Sequence, residues 1–123
     1  MSWGLHAFRE CILDLCARSN PSLHDVYSAT KIAFEFLRID QEVWNNLEHH
    51  IYSNVDRLLT SPNENRPKEA HVHYLYRSLI LLGTVNPEIR PKSRVALEHF
   101  LENEFDTLTL SAKTAILADL FEK

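Results

Sequence analysis

The sequence predicts an all-α fold of about six antiparallel helices stacked as helical hairpins, as an α-solenoid-like array or a compact bundle. Apolar residues recur every three or four positions along most of the chain. Punctuation is sparse, with two Gly and five Pro in 123 residues, which suits long helices better than many short strands. No strand-like alternation runs far enough to matter. With 45% apolar residues the chain can bury one core, so it reads as one all-helical domain. Its expected parts are a half-hairpin over 3–17, hairpins over 22–59 and 67–106, and a half-hairpin over 109–122.

The first helix carries Leu5, Phe8, Ile12 and Leu15 on one stripe, and "SNPSLHD" stops it. Ser22 followed by Asp25 resembles a capping box, which opens a second helix with Val26, Ala29, Ala33, Phe36 and Leu37 inward. Asp40 is suited to cap the third, whose core stripe is Val43, Leu47, Ile51, Val55 and Leu58. "TSPNENRP" is the clearest loop, and Pro67 fits the first position of helix four. Leu75, Leu79 and Leu82, widened by Tyr74, Ile80 and Leu81, predict a helix buried on more than one side, with Gly83 as its C-terminal cap. Pro91 opens the fifth helix, with Leu97, Leu101, Phe105 and Leu108 inward. Thr109 or Ser111 caps the sixth, which runs on Ala112, Ala115, Ile116, Leu120 and Phe121.

A repeat is visible within this pattern. "NLEHHIYSNVDRL" (46–58) and "ALEHFLENEFDTL" (96–108) agree at five of thirteen positions. "FLRIDQEV" (36–43) corresponds in type to "LGTVNPEI" (82–89), and "SATKIAFEFL" (28–37) to "SAKTAILADL" (111–120). Stacked hairpins bury their apolar faces on one another and leave such a signature. His49 and His99 are equivalent in it and are expected to pack or hydrogen-bond, while His50 is exchanged for Phe100.

Charge and motif exclude several functions. A net charge of −4 argues against broad electrostatic capture of nucleic acid or anionic membrane. No apolar run approaches a membrane span, and no membrane partner is expected. The N-terminal stretch carries Glu10 and Asp14, unlike a transit peptide, and charge breaks the apolar run a secretory signal needs. Cys11 and Cys16 lie roughly 140° apart on a helix, so they cannot bridge without unwinding, and they read as two small buried hydrophobes in a reducing compartment. The expected setting is therefore an intracellular, reducing compartment, cytoplasm or mitochondrial matrix. His71 and His73 point about 200° apart on a helix and cannot share a metal there. Two glycines allow no phosphate-cradling loop. No catalytic residue, metal site, cofactor or small-molecule cofactor partner is expected.

Three surfaces are candidates for binding. Trp3 and Phe121, near the two ends, are candidate partner contacts. Arg90, Lys92 and Arg94 form a basic group at a helix start, against the macrodipole, which makes them the candidate RNA contacts. Arg66, Lys68 and Arg77 form a second basic group.

Two resemblances follow from these residues. Arg66 and His71, in "RPKEAH", resemble the motif of HEPN-type ribonucleases, which would make Arg66 a phosphate-positioning residue and His71 or His73 an acid or base. Pro67 departs from that pattern by placing Arg66 at a helix start. More broadly, Ser28, Ala29, Phe36, Leu37, Asp40, Glu42, Trp44 and Leu47 resemble the helical-hairpin arrays of FAST-kinase-like, RAP-associated and octotricopeptide-type proteins. That resemblance implies organellar RNA metabolism or a subunit of an organellar RNA–protein assembly. The expectation is a non-catalytic, helical-repeat scaffold mediating protein–protein contact or self-association. The alternatives are a direct RNA-binding module and the ribonuclease.

Overall fold

The structure, a computed structural model, describes residues 2–19, 21–60, 69–88, 91–100, 102, 106 and 108–121. Side chains are described for these except 2–3, 58–60, 69–72 and 120–121. The described residues form six helices and no strand: α1 (Ser2–Cys16), α2 (Leu23–Phe36), α3 (Gln41–Thr60), α4 (Glu69–Val85), α5 (Pro91–His99) and α6 (Leu110–Phe121). None is long and apolar enough to cross a membrane.

Capping chemistry sets three of the starts. The Ser22 hydroxyl accepts from the Asp25 amide at 3.1 Å and opens α2. Asp40 Oδ1 accepts from the Val43 amide at 3.3 Å and opens α3. Thr109, rather than Ser111, caps α6, accepting from the Ala112 amide at 3.2 Å. Gly83 does not end α4. The helix runs on to Val85, no glycine has a positive φ, and the Asn86 amide closes on Leu82 O at 2.7 Å. The stop comes from Pro87, which disfavours helical backbone at Asn86. Pro67, expected at the start of α4, lies outside the described residues.

The core is shared by all six helices. Val43, Leu47, Ile51 and Val55 of α3 are fully buried at helical spacing. Leu79, Leu81 and Leu82 of α4 are also fully buried; Leu79 and Leu82 share one stripe, but Leu81 points nearly opposite Leu79, so α4 is covered on more than one side. The α5 core face is rotated from expectation: Ser93, Ala96 and Phe100 are deepest, while Leu97 is half-buried. Leu101 and Phe105 lie outside the described residues. At Phe100 the helix widens into a π turn, and the ring stacks on Tyr76 at 4.0 Å. Three expected core residues face solvent instead: Leu5, Phe8 and Phe36.

The main packing pairs join helices one or two apart in the chain: α1 with α2 and α3, α2 with α3 and α4, α3 with α4 and α5, α4 with α5 and α6. Arg9 of α1 reaches Asp40 and Glu42 at the start of α3, while the Cys16 carbonyl meets His50 farther along it. These two helices therefore run in the same sense. So do α2 and α4, where His24 meets Tyr74 and Tyr27 meets Arg77. The α2–α4 contact is the most extensive, and buried Ala29, Thr30, Ala33 and Ser78 are small enough to permit close approach.

Phe100 is nearly unexposed and joins α5 to α4, whereas Ile39 is 98% exposed. Phe100→Ala is expected to cost about 3–5 kcal/mol. Ile39→Ala should stay within about 0.5 kcal/mol of wild type. Equal denaturant midpoints for the two variants would show this packing to be wrong.

Candidate partner-binding surface

Two stripes with the same spacing form a groove between α1 and α2. Phe8, Cys11, Ile12 and Leu15 line one wall at i, i+3, i+4 and i+7. Asp25, Ser28, Ala29 and Ile32 line the other with the same steps. The groove encloses ≈ 370 Å³. Its lining is mostly apolar, and charge enters with Asp25 and with Arg18, just beyond the end of α1. Phe8 stacks on Phe36 with centroids 5.2 Å apart, and both rings remain in water. Leu5, one helical step from Phe8, is 40% exposed. Exposed apolar side chains that adjoin one another mark a surface for association more than scattered ones do.

Polar ties toward α3 hold α1 at its middle and at its C-terminal end. Arg9 Nε donates to Asp40 Oδ2 at 2.9 Å, and its Nη2 donates to Glu42. At the C-terminal end His50 Nε2 donates to the Cys16 carbonyl at 2.7 Å. His50 thus ties α1 to α3, and the exposed His49 packs its ring edge on it with centroids 5.5 Å apart. A smaller cleft of ≈ 170 Å³ lies beside this tie, lined by Ser19, His49, His50, Ser53, Asn54 and Arg57 around Pro21.

On the far side of α2 a buried polar network fixes α6. Asp119 is nearly unexposed. Tyr27 OH donates to it at 3.0 Å, Arg77 Nε at 2.7 Å and Lys31 Nζ at 3.4 Å. Arg77 Nη2 also donates to Tyr27 OH at 2.6 Å, and its guanidinium lies 4.0 Å from the centre of that ring. A carboxylate removed from water needs such partners, and here two helices, α2 and α4, supply them. Arg77, expected in a surface basic group, is turned inward for this purpose. Burial and the Asp119 charge hold the Tyr27 proton well above the ordinary tyrosine range, although Arg77 pulls the other way.

The outer face of α6 carries no charge. Leu110, Ser111, Thr114, Leu117 and Ala118 are exposed, while Lys113 is half-buried and Asp119 is turned into the network. The Thr114 hydroxyl donates to Leu110 O at 2.8 Å within its own helix. A solvated surface helix ordinarily puts charged residues on this side.

The expected site residues are only partly visible. Lys92 and Arg94 are exposed on the first turn of α5, and Arg90 lies outside the described residues. The side chains of Trp3 and Phe121 lie outside them as well, as do Arg66, Lys68 and the His71 side chain. His73 is buried with its ring 4.1 Å from that of Tyr74. Among the described residues no cluster of three or more potential ligands could hold a metal. Of the residues behind the hairpin-array resemblance, Asp40 caps α3, and buried Trp44 donates from Nε1 to Leu37 O at 3.1 Å. Sequence reasoning missed Cys11 and Ile32 as groove residues and Asp119 as an anchor. The available signal was the composition of the last helix, whose two charges leave a whole side bare. Comparisons with family models, curated proteins and solved structures find no match for this chain.

Two measurements follow from these geometries. The unfolded Tyr27 phenol ionises near pH 10, while the folded one keeps its proton. Its contribution to stability is therefore complete below about pH 10 and is lost as pH rises beyond it. Tyr27→Phe should flatten the alkaline fall in denaturant midpoint, and an unchanged slope would refute the assignment. Cys11, expected to be buried, is instead exposed in the groove, whereas burial raises the half-buried Cys16 thiol above its usual pKa. Since the thiolate is the nucleophile, the Cys16→Ser variant, which keeps Cys11, should react with a thiol reagent faster than Cys11→Ser. Equal rates would count against this placement.

Proposed function

We propose that the chain is a non-catalytic helical-repeat scaffold whose α1–α2 groove receives a protein partner. The observation that carries the reading is the groove itself, an opening of ≈ 370 Å³ between α1 and α2 with Phe8, Cys11, Ile12, Leu15, Ala29 and Ile32 as its apolar lining. The packing order supports a repeat: from α1 to α4 each helix packs on the next two along the chain, as stacked hairpins do. The hairpin-array resemblance adds a setting to this proposal, a subunit of an organellar RNA–protein assembly. The acidic net charge favours contact with a protein over direct contact with RNA.

Affinity capture with the full chain tests the reading. A discrete partner should be recovered by wild type and lost when Phe8 and Ile32 are both replaced by Glu. Lys92→Ala with Arg94→Ala should leave capture unchanged. The scaffold reading fails if the groove variant captures the same protein as well as wild type. It also fails if the chain instead shifts RNA in a salt-sensitive way that depends on Lys92 and Arg94.

A further inference from the structure

The smaller cleft, beside the His50 tie, differs from the groove in chemistry. It encloses ≈ 170 Å³ between α3 and the α1–α2 connection. His49, Ser53 and Arg57 stand on successive turns of α3 with His50 and Asn54 beside them, and Ser19 and Pro21 supply the other wall. Among the described residues no carboxylate lines it. Asp56 adjoins Arg57 in sequence but points about 160° away from Asn54 around the helix.

The hydrogen-bond acceptors around this cleft are already in use. Asn54 Oδ1 accepts from Arg57 Nη2 at 2.6 Å, and Asn54 Nδ2 donates to His50 O at 2.8 Å. The Cys16 carbonyl, at the end of α1 where the helix dipole repels anions, accepts from His50 Nε2. The donors are not used up. Arg57 directs Nη2 at Asn54, keeps the rest of its planar fork of donors, and pairs with no carboxylate among the described residues. The Ser19 and Ser53 hydroxyls and the His49 ring make no hydrogen bond to the described residues. All four residues are exposed, so a ligand can reach them.

Spare donors, a positioned cation and no spare acceptor call for an oxyanion. A carboxylate offers two oxygens in one plane. A phosphoryl group offers three in a tetrahedral spread and more negative charge, which answers donors arriving from two walls. The volume lies below the about 300–1,000 Å³ of pockets that enclose a whole ligand, so only the charged group enters. We propose that this cleft binds a phosphoryl group, free as inorganic phosphate or at the end of a small phosphate monoester. Arg57 supplies the charge, oriented by Asn54, and Ser19, His49 and Ser53 supply the remaining donors. Ser19 belongs to the α1–α2 connection and the others to α3, so the bound anion joins the two beside the existing His50–Cys16 bond. The site is separate from the α1–α2 groove and does not depend on the scaffold reading.

Titration of the full chain followed by amide NMR tests this, with inorganic phosphate and glycerol 1-phosphate as separate probes at constant pH and ionic strength. Saturable shifts should gather at Ser19 and over 49–57. Arg57→Ala should weaken binding by about tenfold or more, since charge-assisted bonds are lost. Arg57→Lys should recover only part of this, because an ammonium has no planar fork for Asn54 to orient. Ser53→Ala, which favours helix, should weaken binding by a smaller factor and leave α3 folded. Lys113→Ala removes the same charge on α6 and should change nothing. Tighter binding of the ester identifies a monoester as the ligand, and equal or tighter binding of phosphate identifies the free anion. Three outcomes overturn the proposal: no saturable shift with either probe, the same shifts with acetate or chloride, or Arg57→Ala binding as well as wild type.

Discussion

Asp119 is a carboxylate removed almost completely from water. Its charge is tolerable there because Tyr27, Lys31 and Arg77 all donate to it. Those partners come from α2 and α4, so the last helix is placed by the most extensive interface in the chain. A hydrophobic face alone would let α6 slide or roll on α4. A buried ion with directional partners fixes its rotation, and that rotation turns Leu110 and Leu117 outward. The charge that anchors α6 is therefore also one that its outer face lacks.

The small side chains of α2 set up this arrangement. Ala29, Thr30 and Ala33 let α4 come close, and the Thr30 hydroxyl satisfies itself on Val26 O at 2.7 Å. Close approach brings Arg77 over the Tyr27 ring and within reach of its hydroxyl. Ala29 also lines the groove on the side shared with α1. A bulky residue there would fill the slot, so one short side chain helps both to pack the interior and to keep an opening.

Local chemistry was legible in the sequence, and distant chemistry was not. Ser22, Asp40 and Thr109 are caps because the bond each makes spans three residues, and spacing alone reveals it. Helical periodicity likewise gave Val43, Leu47, Ile51 and Val55 their core positions. It misplaced Leu5, Phe8 and Phe36, since a stripe shows which side of a helix is apolar and not whether another helix covers it. Gly83 is not the stop that a glycine near a helix end usually is, because the proline four residues further on ends the helix. Tyr27 and Asp119 lie 92 residues apart, and no pattern along the chain links them. The groove was hidden for the same reason, as it belongs to the relation between two helices and to neither one separately.

That separation has a kinetic consequence. Contacts between adjacent helices close short loops and carry a small entropic penalty, so hairpin-like pairs can form early. The Tyr27–Asp119 bond closes most of the chain and can form only after α2 and α4 have met. Folding that begins in the middle of the molecule would therefore finish at α6. The same bond is lost whenever α6 frays, so the helix that completes the core is also the natural first point of local opening.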